Sequence, residues 1–365
     1  MSNLILFQNA KSIFFILLSC FLVSCGSNSM QQYNGFTQGT YYSIKCFDKE
    51  KRNLQPSIDS LLTDFDRTAS IFNPNSIISR VNNNDSTVVL NEDFIYLFHI
   101  SMDVSKETQG AFDITVGQLV NAWGFGTKKR NELTTKEIDS LRQYVGYEKV
   151  CLENRIVKKE NPAIRLDFNA IAKGYSVDKM GDFLESLGIG NYIVDIGGEV
   201  LAKGNKNGKK WVVAVERPAM EKTDQQQALI TIPLNNNSLA TSGNYRNYYK
   251  KDGIKYSHTI CPQTGYPVSH NLLSVTVKHS KTAIADAYAT AFMVMGLEKS
   301  LAFLKNHPEM EAYFIYDENG EMKMLGIGEW GNSHSIRNES LGKKQPPPVN
   351  LHSVGMQPVI NQLNN

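Results

Sequence analysis

Three short segments hold side chains whose types and spacing could do chemistry. In residues 237–267, NSLATSGNYRNYYKKDGIKYSHTICPQTGYP, one histidine stands among turn residues and short β-prone runs. That mixture gathers polar side chains and backbone N–H groups at one mouth of a fold. The imidazole of His258, read as lying on a strand, can give or take a proton near neutrality and is a candidate general base. A hydrogen-bonded structural histidine on the Asp252-Gly253 hairpin is the other reading. Farther along, AIADAYATAFMVMG sets Asp286 and Thr290 four apart, on one face of an expected helix. A carboxylate and a hydroxyl stacked there are two hard oxygen donors, and such donors suit Mg²⁺. An aspartate acting only as a cap or dipole partner is the competing reading. In the third segment, IRLDFNAIAKGYSVDKMGDFLESLG, Lys173 falls in the first turn of another expected helix. A cation there opposes the helix dipole. A bound phosphate would resolve the conflict, and so would solvation of the lysine.

The elements that must position these groups are partly legible. Residues Ile164 to Phe168 alternate as a short strand, and a helix is expected from Ala170 to Leu187, with Asn169 as cap and Gly188 as stop. Ile171, Val177, Met180, Leu184 and Leu187 give that helix an apolar stripe. The Gly197-Gly198 pair between two β-prone runs marks a bulge or a close backbone approach. Helical and β patterns mix without a regular βαβ rhythm. An α+β fold with largely antiparallel sheets follows, rather than a doubly wound one.

A chain of 365 residues with 41% hydrophobic residues can bury a large core. Its net charge of +2 gives no nucleic-acid footprint. At the amino terminus, Lys11 precedes an apolar run from Ile13 to Val23, too short for a spanning helix and suited to a signal-peptide core. Leu22-Val23-Ser24-Cys25 has the form of a bacterial lipobox. It predicts a signal peptide over 1–24 and a lipid-modified Cys25 that anchors the chain on the periplasmic side of a membrane; a plain signal anchor or a secreted form is the alternative. Residues 25–35 then read as a polar tether, 36–330 as the folded domain and 331–365 as a disordered tail. Cys46, Cys151 and Cys261 remain, an odd and widely spaced set that makes neither a disulfide framework nor a metal cluster.

Taken in order, the blocks FTQGTYYSI, TASIFNPNSIISRVN, GAFDITVGQLVNAWGFG, LDFNAIAKGYSVD, YIVDIGGEV, LATSGNYRNYY, YSHTICPQTGYPVS and ADAYATAFMVMG resemble the FAD:protein FMN transferases, the ApbE family, over roughly Gly35 to Trp330. The resemblance implies a T-fold-like α+β fold with an internal duplication. It also implies a Mg²⁺-dependent reaction in which FAD is split at its pyrophosphate, FMN passes to a threonine hydroxyl of an acceptor redox protein, and AMP leaves. By the same resemblance Asp286, Thr290 and the backbone carbonyl of Ala170 hold the metal, and His258 is the candidate base. Gln38, Phe72, Ala111, Phe112, Asp113, Asp167, Lys173 and Ile260 match positions that contact FAD, while Trp123 and Phe125 read as core. Four positions depart from the family pattern: Gln38 for methionine, Phe72 for tyrosine, Cys261 for aspartate, and Ala289 where some members carry a second carboxylate. Two other functions share the residue set: a FAD pyrophosphatase in which water replaces the threonine, and a non-catalytic flavin-binding lipoprotein.

Overall fold

The computed structural model describes residues 29–127, 133–218, 228–244, 248–251, 254–328 and 330. Eight strands make the central sheet: β1 (Gln31–Thr37), β2 (Thr40–Cys46), β5 (Tyr192–Ile196), β6 (Glu199–Lys203), β9 (Asn237–Gly243), β12 (Leu272–His279), β13 (Glu311–Glu318) and β14 (Glu321–Ile327). They lie side by side in that order, and every neighbouring pair is antiparallel. Helices α1 (Gln55–Ala69), α2 (Ile77–Asn82), α3 (Glu92–Glu107), α4 (Gly117–Ala122), α5 (Thr135–Arg142), α6 (Ala172–Ser186) and α7 (Thr282–Leu304) complete the α+β fold. The duplication is visible in the chain order. A strand pair, a helix and a second strand pair occur as β1-β2, α6, β5-β6 and again as β9-β12, α7, β13-β14. Inserted into the first unit are α1 to α5 and the hairpin of β3 (Val150–Glu153) and β4 (Ile156–Lys159). Inserted into the second is the hairpin of β10 (Tyr248–Lys251) and β11 (Ile254–Ser257).

The sheet is covered on both faces. Val177, Met180 and Leu184 of α6 and Ile58 and Leu62 of α1 pack on Tyr42, Ile44, Val194 and Ile196. Phe292 and its neighbours on α7 pack on Val275, Val277 and Phe314. On the opposite face, Trp211 and Val215 of β7 (Trp211–Glu216) and Ile232 and Leu234 of β8 (Ala228–Leu234) meet Val200, Leu239, Tyr313 and Ile315. Alternate residues of β13 therefore serve two cores, Ala312 and Phe314 on one face and Tyr313 and Ile315 on the other, which is why the middle of the strand is an unbroken apolar and aromatic run. The length and composition of α7 would suit a membrane span, but half of its apolar window is buried inside this fold.

Four local expectations change. Residues 164–168 form no strand; their backbone makes one parallel bridge, Arg165 to Val116. Both backbone groups of Leu166 are taken by one side chain: Asn82 accepts from Leu166 N–H at 2.7 Å and donates to the Leu166 carbonyl at 2.8 Å. Helix α6 begins at Ala172, and Asn169 does not cap it; the Asn169 N–H is instead held by Asp167 at 2.8 Å. Its end is as expected. Gly188 takes φ 76°, its N–H bonds to Glu185, and Ile189 N–H bonds to Leu184, a Schellman stop. His258 lies just beyond strand β11, in a bend. From Gln31 onward the stretch read as tether is strand β1, paired along its length with β2.

Candidate active site

The two duplicated helices cross at a glycine. A Cβ on Gly174 of α6 would lie 2.5 Å from the Thr282 carbonyl oxygen and 2.8 Å from Asp286 Cβ, so no side chain fits there. This close approach delivers Asp286 of α7 to the first turn of α6, where it accepts the Gly174 N–H at 3.0 Å. In an uninterrupted helix that N–H would bond back to the Ala170 carbonyl. Here the helix starts later, and the neighbouring carboxylate takes the bond. A negative group at this end also suits the helix dipole. Asp286 sits inside α7, five residues past its N-cap Lys281, so it does not cap its own helix. That task falls to Asp178 of α6, which accepts the N–H groups of Thr282 and Ala283 at 2.8 and 3.0 Å.

Lys173 is anchored rather than solvated. Its Nζ lies 2.7 Å from Glu199 Oε1 and 4.0 Å from Asp286 Oδ2. Glu199 opens β6 immediately after the Gly197-Gly198 turn, where both glycines have positive φ. Burial pushes the Asp286 carboxyl well above the usual carboxylate range; Lys173 pulls it back and Glu199 pushes it further up. Thr290, one turn along α7, places its Oγ1 3.2 Å from Ser242 Oγ of β9. Among the described residues, no three His, Cys, Asp or Glu side chains gather as metal ligands. The donors that the resemblance assigns to the metal would be one carboxylate, one hydroxyl and the Ala170 carbonyl. All are hard oxygens with a single formal charge, which fits Mg²⁺ if water and substrate phosphates complete its shell.

The other predicted contacts lie on the β1–β2 tip and on the segments that precede α6. Gln38 and Gly39, with φ 49° and 72°, form the turn between β1 and β2. The Gln38 amide donates to Ser176 Oγ of α6 at 2.5 Å, which ties the hairpin tip to the same helix. Phe72 is 62% exposed and shares a surface cavity with Asn82, Arg165 and Asp167. Asp167 N–H donates to the Ile114 carbonyl at 2.7 Å, so the 111–115 segment lies against the approach to α6. Ala111 and Phe112 are buried there. The Asp113 carboxylate accepts the N–H and hydroxyl of Thr115 at 2.8 and 2.6 Å. Burial pushes Asp113 and Asp167 each up to about 6, against the hydrogen bonds from Thr115 and Asn169.

His258 and Ile260 lie on the segment that follows β11. The imidazole meets the Phe125 ring edge-on at 6.3 Å. Ile260 is buried with Leu119, Trp123, Ile138 and Val145, and the Trp123 indole N–H donates to the Gly265 carbonyl at 2.8 Å. The Cys261 thiol donates to Gln263 Oε1 at 3.2 Å. Cys46, Cys151 and Cys261 are free thiols. Cys25 lies outside the described residues. Sequence reasoning missed Glu199 and Asp178. The signal for Glu199 was a lone charge opening an apolar strand after paired glycines; nothing local distinguished Asp178.

The sequence and the fold resemble those of known proteins. The family model of the ApbE family matches residues 38–314. A FAD:protein FMN transferase of Vibrio cholerae serotype O1 is 37% identical over 291 residues, 77% of this chain and 86% of its own length. One from Escherichia coli K12 is 34% identical over 302 residues, 79% of this chain and 85% of its own. Among solved structures, the flavin transferase ApbE from Vibrio cholerae aligns with a TM-score of 0.75 at 33% identity, covering 83% of this chain and 99% of that one. The Pseudomonas stutzeri flavinyl transferase ApbE, in its apo form, aligns with a TM-score of 0.76 at 30% identity, covering 85% and 98%. Sequence along most of the length and the arrangement of the sheet thus lead to one conclusion: the chain belongs to the ApbE family of flavin transferases.

Proposed function

We propose that this chain moves FMN from FAD to a threonine hydroxyl of an acceptor redox protein, with Mg²⁺ bound and AMP released. The observation that carries the reading is the junction where Asp286 meets the start of α6 beside the Lys173 ammonium. Phosphoryl transfer needs charge neutralisation, in-line positioning and help in deprotonating the attacking hydroxyl. Asp286, Thr290 and the Ala170 carbonyl would hold the metal, which supplies charge neutralisation at the pyrophosphate. Lys173 lies where a phosphate oxygen at the α6 N-terminus would accept from it. Phe72, being exposed, offers a ring face for stacking on the flavin nucleotide. Gln38, held by Ser176, extends the hairpin tip toward the same helix. His258 is the group suited to take the threonine proton. A lipid-modified Cys25 would keep the chain at the periplasmic membrane surface, near membrane redox subunits; mass spectrometry of the mature amino terminus tests that part separately.

The test is incubation of the purified chain with FAD, Mg²⁺ and an acceptor carrying a candidate threonine. In-gel flavin fluorescence reads the covalent adduct, and chromatography reads AMP. The reading expects acceptor-dependent adduct and AMP in equal amounts, both lost on chelation. Equal FMN and AMP with no adduct, whether or not acceptor is present, would instead make the chain a FAD pyrophosphatase.

A further inference from the structure

Glu199 has no part in the chemistry described so far, yet its place is unusual. It is 2% exposed, and its two carboxylate oxygens differ. Oε1 pairs with Lys173 Nζ at 2.7 Å, while Oε2 is buried with no hydrogen-bond partner. A buried carboxylate oxygen left in that condition is costly, and such groups persist where they do something. The lysine between them faces two carboxylates. It is within hydrogen-bond reach of Glu199 and 4.0 Å from Asp286 Oδ2. An ammonium that moved onto Asp286 would compete with a cation for the same ligand oxygens.

We infer that Glu199 is a positioning residue: it holds the Lys173 ammonium off Asp286, leaving that carboxylate to a divalent cation and the lysine to the substrate phosphates. The inference rests on the metal site proposed above. Charge supports it. With both carboxylates ionised, Lys173, Glu199 and Asp286 together carry one net negative charge, which a divalent cation turns to one net positive charge facing the phosphates. With Glu199 neutral, Lys173 and Asp286 cancel, and the cation loses its attraction. The Gly197-Gly198 turn supports it too. An added Cβ on Gly197 would lie 2.7 Å from Thr40 Cγ2, so the turn fixes the start of β6, and with it Glu199, against the β1–β2 tip.

The experiment measures Mn²⁺ binding to the purified full chain by electron paramagnetic resonance, without FAD, alongside FMN transfer and melting temperature. Glu199→Gln keeps the shape and removes the charge; it should weaken Mn²⁺ binding roughly 10- to 100-fold, the range for outer partners of metal ligands. Lys173→Met, with Glu199 intact, should bind Mn²⁺ at least as tightly as the unmodified chain. The double variant Lys173→Met with Glu199→Gln should recover near-normal Mn²⁺ binding while FMN transfer stays low, because the phosphate contact is gone. A merely structural Glu199 predicts the reverse, with binding and melting temperature lowered whatever stands at 173. Unchanged Mn²⁺ binding in Glu199→Gln, or a double variant as weak as Glu199→Gln alone, would overturn the inference. Mn²⁺ binding that is indifferent to Asp286→Asn would overturn the metal site itself and the inference with it.

Discussion

Asp178 caps the helix of its neighbour: its carboxylate accepts the Thr282 N–H at 2.8 Å and the Ala283 N–H at 3.0 Å. These are the first two residues of α7, whose own N-cap, Lys281, supplies no side-chain bond. The helix that carries Asp286 and Thr290 is therefore registered on the helix that follows Ala170. Two halves of a duplicated fold are locked at the point where the proposed metal ligands meet. Removing the carboxylate with Asp178→Ala should cost about 2 kcal/mol of stability, the upper range for a cap. Urea denaturation reads it, and a loss within error would mean that the packing of α6 on α7 sets the register without the cap.

Gly174 makes the same crossing possible from the other side. Gly174→Ala puts a methyl group into the Thr282 carbonyl and Asp286 Cβ. Overpacking of this kind costs ~1–3 kcal/mol. The melting temperature should fall, and the Mg²⁺ concentration needed for half-maximal transfer should rise, because Asp286 is pushed from the α6 N-terminus. A variant with normal Mg²⁺ requirement would show that the metal does not depend on this contact.

Asp286→Asn separates function from stability. Burial holds the Asp286 carboxyl above its ordinary range, so the ionised form is a burden on the fold. The amide should leave the melting temperature at neutral pH unchanged or higher. Transfer should fall beyond the roughly 100-fold that loss of an outer partner costs. Full activity at limiting Mg²⁺ would rule out this carboxylate as a ligand.

His258→Ala should retain FAD affinity and lose rate. A base acts on the transition state, while stacking and phosphate contacts remain. Single-turnover FMN transfer should drop roughly 10²- to 10⁴-fold. An unchanged rate in a stable variant would remove His258 from the mechanism.

Asp113 gives a pH signature that involves no metal ligand. Its folded-state pKa is pushed up to about 6, above the ordinary ~3.9 of an unfolded chain. Between those values the folded state holds a proton that the unfolded state has released. The contribution to stability is greatest below the lower value and is lost as pH rises through the upper one. At ~1.4 kcal/mol per pH unit, up to ~3 kcal/mol is at stake. Asp113→Asn can still accept from Thr115, so its melting temperature relative to the unmodified chain should climb between pH 4 and pH 7. A constant difference across that range would mean that Asp113 titrates normally.

The sequence by itself determined the class of the fold, the family and the residue types at the site. Periodicity places α6 and α7, Gly188 stops α6 through its left-handed backbone, and Asp286 with Thr290 shares a helix face because four residues make about one turn. Local rules went astray where a distant partner took over a backbone group. Residues 164–168 look like a strand, but the Asn82 side chain occupies the bonds a neighbouring strand would make. Asn169 looks like a cap, yet its own N–H is bound by Asp167, and a carboxylate 112 residues away in sequence from Gly174 meets the first turn of the helix. Lys173 looked like a conflict with the helix dipole to be settled by phosphate or by water; only the packed structure shows that Glu199 already faces it. Pairing of charges across separate elements leaves no mark at any sequence spacing, because it depends on how the two duplicated halves dock. That docking was decided by the tertiary structure, through a glycine at the crossing and a carboxylate from one helix capping the other.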